Sequence, residues 1–264
     1  MRVPPSLLRA ALLAVATAAG MAFATAAATG ERAQSGDIIA SLQAEMRPHF
    51  LPRERAVPIT IGVSTGLRSA AGRPLPRLLR ISLALAGRGG VEDRGLPLCA
   101  EARIRVTNER QALNECGAAL VGSGHMDGAI HIAGQRPFPF RGRLLLFNGR
   151  LAGGRHVVFA DMVSKAPPVS FVLRFLFRKR SSGGTEMSAA MPRVSGGYVG
   201  VSHMDLTLGR RFGPPRDRRG YLNANCPVPP GFTAFVVPVV EATYEFAGGR
   251  RVAVTASRGC SVRR

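Results

Sequence analysis

Three short motifs hold the residues best suited to chemistry. Gly62-Val63-Ser64-Thr65-Gly66 fits G-x-S-x-G, the pattern that lifts a serine nucleophile above a sheet when it sits on a sharp turn between strand and helix. His-Met-Asp occurs twice, at His125-Met126-Asp127 and at His203-Met204-Asp205. On a strand, residues i and i+2 share a face, so each histidine would lie beside its own aspartate. Two such pairs, with His131, His156 and Asp161 as further candidate ligands, could do acid/base work or hold a metal. Each motif also has a plain reading. Leu67 to Pro76 contains Gly72, Pro74 and Pro76 and makes a poor helix, so Ser64 fits a strand entering a glycine-rich turn. The alternation that buries Met204, Leu206 and Leu208 turns His203 and Asp205 outward, and the first copy lies among Gly122, Gly124 and Gly128.

The other chemically distinctive residues are basic. The chain has 36 Lys+Arg against 16 Asp+Glu, a net charge of +20, and only Lys165 and Lys179 are lysines. Arginine presents a planar fork that matches carboxylate and phosphate, so Arg174, Arg178, Lys179, Arg180, Arg210 and Arg211 are candidate contacts for anionic envelope polymers or lipid headgroups. Ordinary solvated charge near turns is the alternative. The chain has no tryptophan and three tyrosines, too little aromatic material for stacking sugars or unpaired bases, so no specific nucleic-acid partner is expected. Nothing in the sequence indicates an oligomeric state.

Cysteines stand at 99, 116, 226 and 260, and four cysteines admit three pairings. Cys99–Cys116 with Cys226–Cys260 is favoured because each pair is local and each enclosed segment is bounded by turn residues. Closing loops of these lengths contributes roughly 3 and 4 kcal/mol in the loop-entropy account. None forms a C-x-x-C and none has a histidine at finger spacing, so no metal or other cofactor is expected.

The elements that must position these residues read as strands. Residues 1–28 have the order of an export signal, with Arg2 and Arg9, an uncharged stretch from Ala10 and small residues at Ala24 to Ala28. Its removal would lower the net charge to +18, with secretion or residence in the envelope as the expectation; retention as an anchor is the alternative. Residues 29–56 read as a polar tether or peripheral helix, with Ile38, Ile39, Leu42 and Met46 on one helical face. From Val57 onward the period is two, and Gly and Pro punctuate some ten short strands. The clearest hairpin runs from Val240 to Ala256 around Gly248-Gly249, where glutamates on one strand could pair with Arg251 on the other. One helix is expected near residues 108–116, with Asn108 as cap and Gln111 three residues on. This predicts a single all-β domain over residues 57–264, an antiparallel β-sandwich or barrel-like fold with that one helix.

The segments Arg94-Gly95-Leu96-Pro97-Leu98-Cys99, Ala112 to Gly122, Pro137-Phe138-Pro139, Phe147-Asn148-Gly149, Cys226-Pro227-Val228-Pro229-Pro230-Gly231-Phe232 and Cys260-Ser261-Val262-Arg263 resemble an uncharacterised family of secreted, disulfide-containing proteins from GC-rich soil bacteria. The resemblance implies an exported protein with paired cysteines and supplies no catalytic or binding residues. The expectation is therefore a non-enzymatic binding or structural domain with a basic surface, with a secreted hydrolase using Ser64 or the His-Asp pairs as the competing class.

Overall fold

The structure, a computed structural model, describes residues 31–85, 89–105, 108–181, 183–214, 216 and 218–262. The expected export signal lies outside them. The strands are β1 (Glu31–Ser35), β2 (Ile38–Arg47), β3 (Phe50–Leu51), β4 (Val57–Ser69), β5 (Leu78–Leu85) and β6 (Gly90–Val91). After the helix α1 (Glu109–Cys116) come β7 (Leu120–His131), β8 (Phe138–Arg150), β9 (His156–Lys165), β10 (Pro168–Lys179), β11 (Thr185–Ala190) and β12 (Arg193–Val194). The chain ends with β13 (Gly197–Leu208), β14 (Arg211–Phe212), β15 (Arg219–Gly220), β16 (Leu222–Ala224), β17 (Ala234–Phe246) and β18 (Arg251–Val262).

All but β14 and β15 belong to one sheet, whose main path runs β1-β2-β4-β13-β7-β8-β9-β10-β11-β5-β17-β18-β3. Its pairings are antiparallel except β18 with β3. The sheet curls until its ends meet: Glu31 Oε1 accepts from the Ser257 amide at 2.6 Å, and Arg250 pairs with Asp37 at 2.8 Å. All-β character is thus established, but the strands join a single curled sheet and not two separate facing sheets.

The concave side encloses one large apolar core that takes alternate residues from every long strand, among them Leu42, Ile61, Met126, Leu144, Ala160, Phe175, Val199 and Val254. Across it Tyr244 on β17 meets Thr65 on β4 through their hydroxyls, and Thr65 donates on to the Ser41 carbonyl at 3.0 Å. Burial, partly offset by that bond, pushes the Tyr244 hydroxyl up to about 12.

Residues 29–56 differ from expectation. Ile38–Arg47 is a strand, paired with β4 from Ile38↔Ser69 to Arg47↔Thr60, and with β1 it forms a hairpin turning at Gly36-Asp37, where Gly36 has φ 59°. The buried set is Ile38, Ala40, Leu42, Ala44 and Met46, a period of two completed by alanines. Alanine favours helices, yet its small size suits the crowded inner side of a curled sheet, and tertiary pairing overrides the local preference. The segment is therefore part of the core and no tether.

The helix forms as expected, with Asn108 Oδ1 accepting from the Gln111 amide at 3.0 Å and Gly117 at its end. Both disulfides form as expected, Cys99–Cys116 with Cα atoms 5.4 Å apart and Cys226–Cys260 at 5.9 Å. The first holds α1 over the convex side of β8, β9 and β10, where Ile104, Ala112, Leu145, Phe147, Val157 and Phe159 make a second, smaller core. The 240–256 hairpin is also present, with positive φ at both Gly248 and Gly249. Glu245 lies opposite Arg251 in it but forms its ion pair with Arg80 on β5, at 3.5 Å.

Candidate functional site

Ser64 and both His-Met-Asp motifs lie on adjacent strands and face the same convex side. β13 lies between β4 and β7, and its register sets Asp205 opposite Ser64 on one side and opposite His125 on the other. One pair further along, His203 lies opposite Gly66 and opposite Asp127. Glycines in β7 permit this closeness: a Cβ on Gly124 would lie 1.8 Å from the Asp205 carbonyl oxygen, so only a hydrogen fits there. The glycines that obscure the first motif in the sequence therefore bring it against the second.

Within this group the partners are re-sorted. His203 Nε2 lies 2.8 Å from Asp205 Oδ2, as the i, i+2 rule anticipates. Asp127 instead accepts a bidentate contact from Arg141 on β8, at 2.9 to 3.2 Å. Burial tends to raise the Asp205 pKa, but the hydrogen bonds from Ser64 and His203 and the charges of His203 and His125 outweigh it and hold the carboxyl below its usual range. Ser64, Asp205, Gln43, Glu45, His49 and Arg258 line a cleft of about 500 Å³ where β2, β4 and β13 approach β18.

This order of groups restricts the chemistry. In an acyl-transfer triad the imidazole sits between hydroxyl and carboxylate and takes the proton. Here the carboxylate sits between Ser64 and His203, and its lowered pKa makes it a weak base. The G-x-S-x-G residues run straight within β4 and form no turn, so Ser64 has neither an elbow nor a helix N-terminus behind it. Among the described residues no three His, Cys, Asp or Glu side chains are grouped to hold a metal.

The arginine clusters do not form one stripe. Arg174 pairs with Glu101 at 2.7 Å beside the small core, and Arg210 donates to the carbonyls of Gly117, Ala118 and Leu120, clamping the turn after α1. Arg211 is exposed on β14, and Lys179 is exposed at the end of β10. Arg178 and Arg180 alone of the six enter a shared groove.

That groove, about 610 Å³, crosses the convex side of β10, β11, β5 and β17. Its floor is a row of hydroxyls on adjacent strands, Ser188 opposite Ser82 opposite Thr243, with Ser82 and Thr243 buried. None of the three hydroxyls bonds within the protein among the described residues. Arg178–Glu186, Arg180–Glu241 and Arg80–Glu245 form neutral pairs around it. Arg155 and Arg251 also line it and have no ion pair among the described residues, leaving two uncompensated cations over the hydroxyl row. Period-two reading puts Ser82, Ser188 and Thr243 on outward faces, but their strands are distant in sequence, and nothing local shows that β11, β5 and β17 are neighbours.

The remaining candidates lie elsewhere and apart. His131, its pKa lowered by burial, stacks on Tyr198 at 4.6 Å. His156 Nε2 lies 2.9 Å from Asn148 Oδ1 and 3.2 Å from the Tyr221 hydroxyl, and its ring stacks on Phe177. Burial lowers the His156 pKa, Asp93 opposes this and Arg150 adds to it. Asn148 and Tyr221 are fully buried, so this set ties β8 and β9 to the chain before β16. Asp161 is 1 % exposed on the β9 face that bears Val157 and Phe159.

No protein-family model matches the chain, and no curated protein is similar to it. A solved structure described as "AvmM Catalyzes Macrocyclization in Alchivemycin A Biosynthesis" aligns with 87 % of this chain and 92 % of its own at 9 % identity, with a TM-score of 0.29. A TM-score that low transfers neither fold nor activity.

Proposed function

We propose that this is an exported, non-enzymatic binding domain of barrel-like closure whose groove on β10, β11, β5 and β17 takes an anionic, hydroxyl-rich ligand, of the kind found in carboxylated or phosphorylated envelope polymers. One observation carries the reading: Arg155 and Arg251 stand over three hydroxyls in a groove large enough for a few sugar or polyol units, all five groups unpaired among the described residues. Guanidinium forks match carboxylate and phosphate, and a row of hydroxyls exchanges hydrogen bonds with a polyol at little cost. Three further arginines are already neutralised by glutamates, which fixes the rim without adding to its charge. Two disulfides are consistent with a compartment outside the reducing cytoplasm. The hydrolase reading has less support, because the hydroxyl of Ser64 faces a carboxylate and no imidazole.

Calorimetric titration with polygalacturonate and with poly(glycerol phosphate) tests this. Arg155→Ala and Arg251→Ala are each expected to weaken binding about ten-fold, since a hydrogen bond to a charged group is involved, and added salt should weaken it further. Wild-type affinity in the double variant would refute the assignment.

A further inference from the structure

The structure assigns a second surface, independent of the groove: the end of the sheet formed by β3, β18 and the start of β17 is a membrane-docking tip for anionic lipid. Four large apolar side chains are exposed there, Phe50 (63 %), Phe232 (63 %), Phe235 (49 %) and Val236 (65 %). They come from chain segments about 180 residues apart and reach this end of the sheet only through pairing, Phe50 and Val236 on one face and Phe235 on the other. Phe50 and Ala234 both lie opposite Ser261, Phe235 lies opposite Cys260, and Val236 lies opposite Gly259. Phe50 and Ala234 are thus two strand spacings apart, about 10 Å. Phe232 is drawn in by Arg53, whose Nη2 donates to its carbonyl at 3.0 Å.

Charge and size identify the occupant. Arg53, bonded to the Phe232 carbonyl, and the exposed Arg55 lie in the connection that follows Phe50. Glu45 is already paired with Arg47 at 2.8 Å, which leaves Glu54 as the one acidic residue of the Phe50–Val57 connection against these cations. The four side chains expose roughly 400 Å² together, about half of the ~800 Å² per partner that a stable protein interface uses. A bilayer makes no such demand: a few aromatic side chains enter the acyl boundary while arginines meet anionic headgroups.

The test is co-sedimentation of the chain as isolated after export with vesicles of phosphatidylcholine alone or with 30 % phosphatidylglycerol, where the fraction is an assay choice of about the acidic content of a charged leaflet. Binding to the anionic vesicles is expected, at least ten-fold weaker to the neutral ones. Phe50→Ser/Phe232→Ser/Phe235→Ser should lose binding ten-fold or more while keeping the thermal transition and the titration with polygalacturonate. Arg53→Ser/Arg55→Ser should weaken binding and reduce its salt dependence. Because the chain lacks tryptophan, Phe232→Trp gives a single reporter whose emission should shift to the blue on adding anionic vesicles. Unchanged binding by the triple serine variant, equal binding to neutral vesicles, no shift for Phe232→Trp, or loss of a dimer in that variant would each overturn the assignment, the last by making the tip a contact between two copies.

Discussion

Asp161 gives the sharpest physical test. Its carboxyl is almost fully buried on the convex side of β9, opposite Leu145 on β8 and Val172 on β10, and Oδ2 has no hydrogen-bond partner among the described residues. The arginines on neighbouring outward positions are already engaged, Arg143 by Glu109 and Arg174 by Glu101. Burial in this apolar setting pushes the Asp161 pKa from 3.8 to about 7. Well below pH 3.8 the group is neutral folded and unfolded alike and adds no pH dependence. As the pH rises, the unfolded chain releases the proton first, so stability falls by about 1.4 kcal/mol per unit until the folded carboxyl also ionises near 7. Across that gap of about three units the loss is about 4 kcal/mol, a large share of a typical domain's stability. Asp161→Asn keeps the shape and removes the titration, at a cost of about 1–3 kcal/mol for an amide without partners. Urea unfolding with the disulfides intact, at pH 4 and at pH 8, checks this. The variant is expected to be the less stable protein at pH 4 and the more stable one at pH 8, and carboxylates common to both, such as Glu101 and Asp205, cancel in the comparison. Parallel stability curves for the two proteins over this range would show that Asp161 finds a partner or water, and the reasoning would fail.

Two structural predictions accompany the binding tests given above. Cys99→Ser/Cys116→Ser should cost about 3 kcal/mol through the 17-residue separation it leaves open, seen as a lower urea midpoint, and should speed proteolysis selectively within residues 100–118 by loosening α1 from the small core. Gly124→Ala forces a Cβ onto the Asp205 carbonyl oxygen, so β7 and β13 must part. A destabilisation of more than about 3 kcal/mol or failure to fold is expected, where an ordinary exposed strand position would change by less than about 1 kcal/mol. A thermal melt of the two glycine variants Gly124→Ala and Gly259→Ala separates this close-approach effect from general glycine loss, since Gly259 lies in a strand with no positive φ and nothing lies within 4 Å of a Cβ there.

Much of this fold is legible locally because its information is local. A period of two states which side of a strand is buried, Gly248-Gly249 states a turn, and Asn108 with Gln111 states a cap. The two disulfides are legible because short loops pair more readily than long ones. Residues 29–56 mislead for the same reason, as Ala40 and Ala44 speak for a helix when judged by propensity and for a strand only when β4 is beside them.

The site is different in kind. The sequence by itself determined that His203 and Asp205 face outward and that arginine is in excess. Only tertiary structure decided that β13 lies between β4 and β7, which gathers those two with Ser64, His125 and Asp127, gives Asp127 to Arg141 and sets a carboxylate where a triad needs an imidazole. It also decided that β11, β5 and β17 are neighbours, which turns Ser188, Ser82 and Thr243 into one floor, and that β18 lies between β3 and β17, which brings Phe50 and Phe235 to one end of the sheet. Strand alternation is a property of adjacent residues along the chain. Strand order is a property of the closed sheet, fixed by how the large core packs, and no local pattern encodes it.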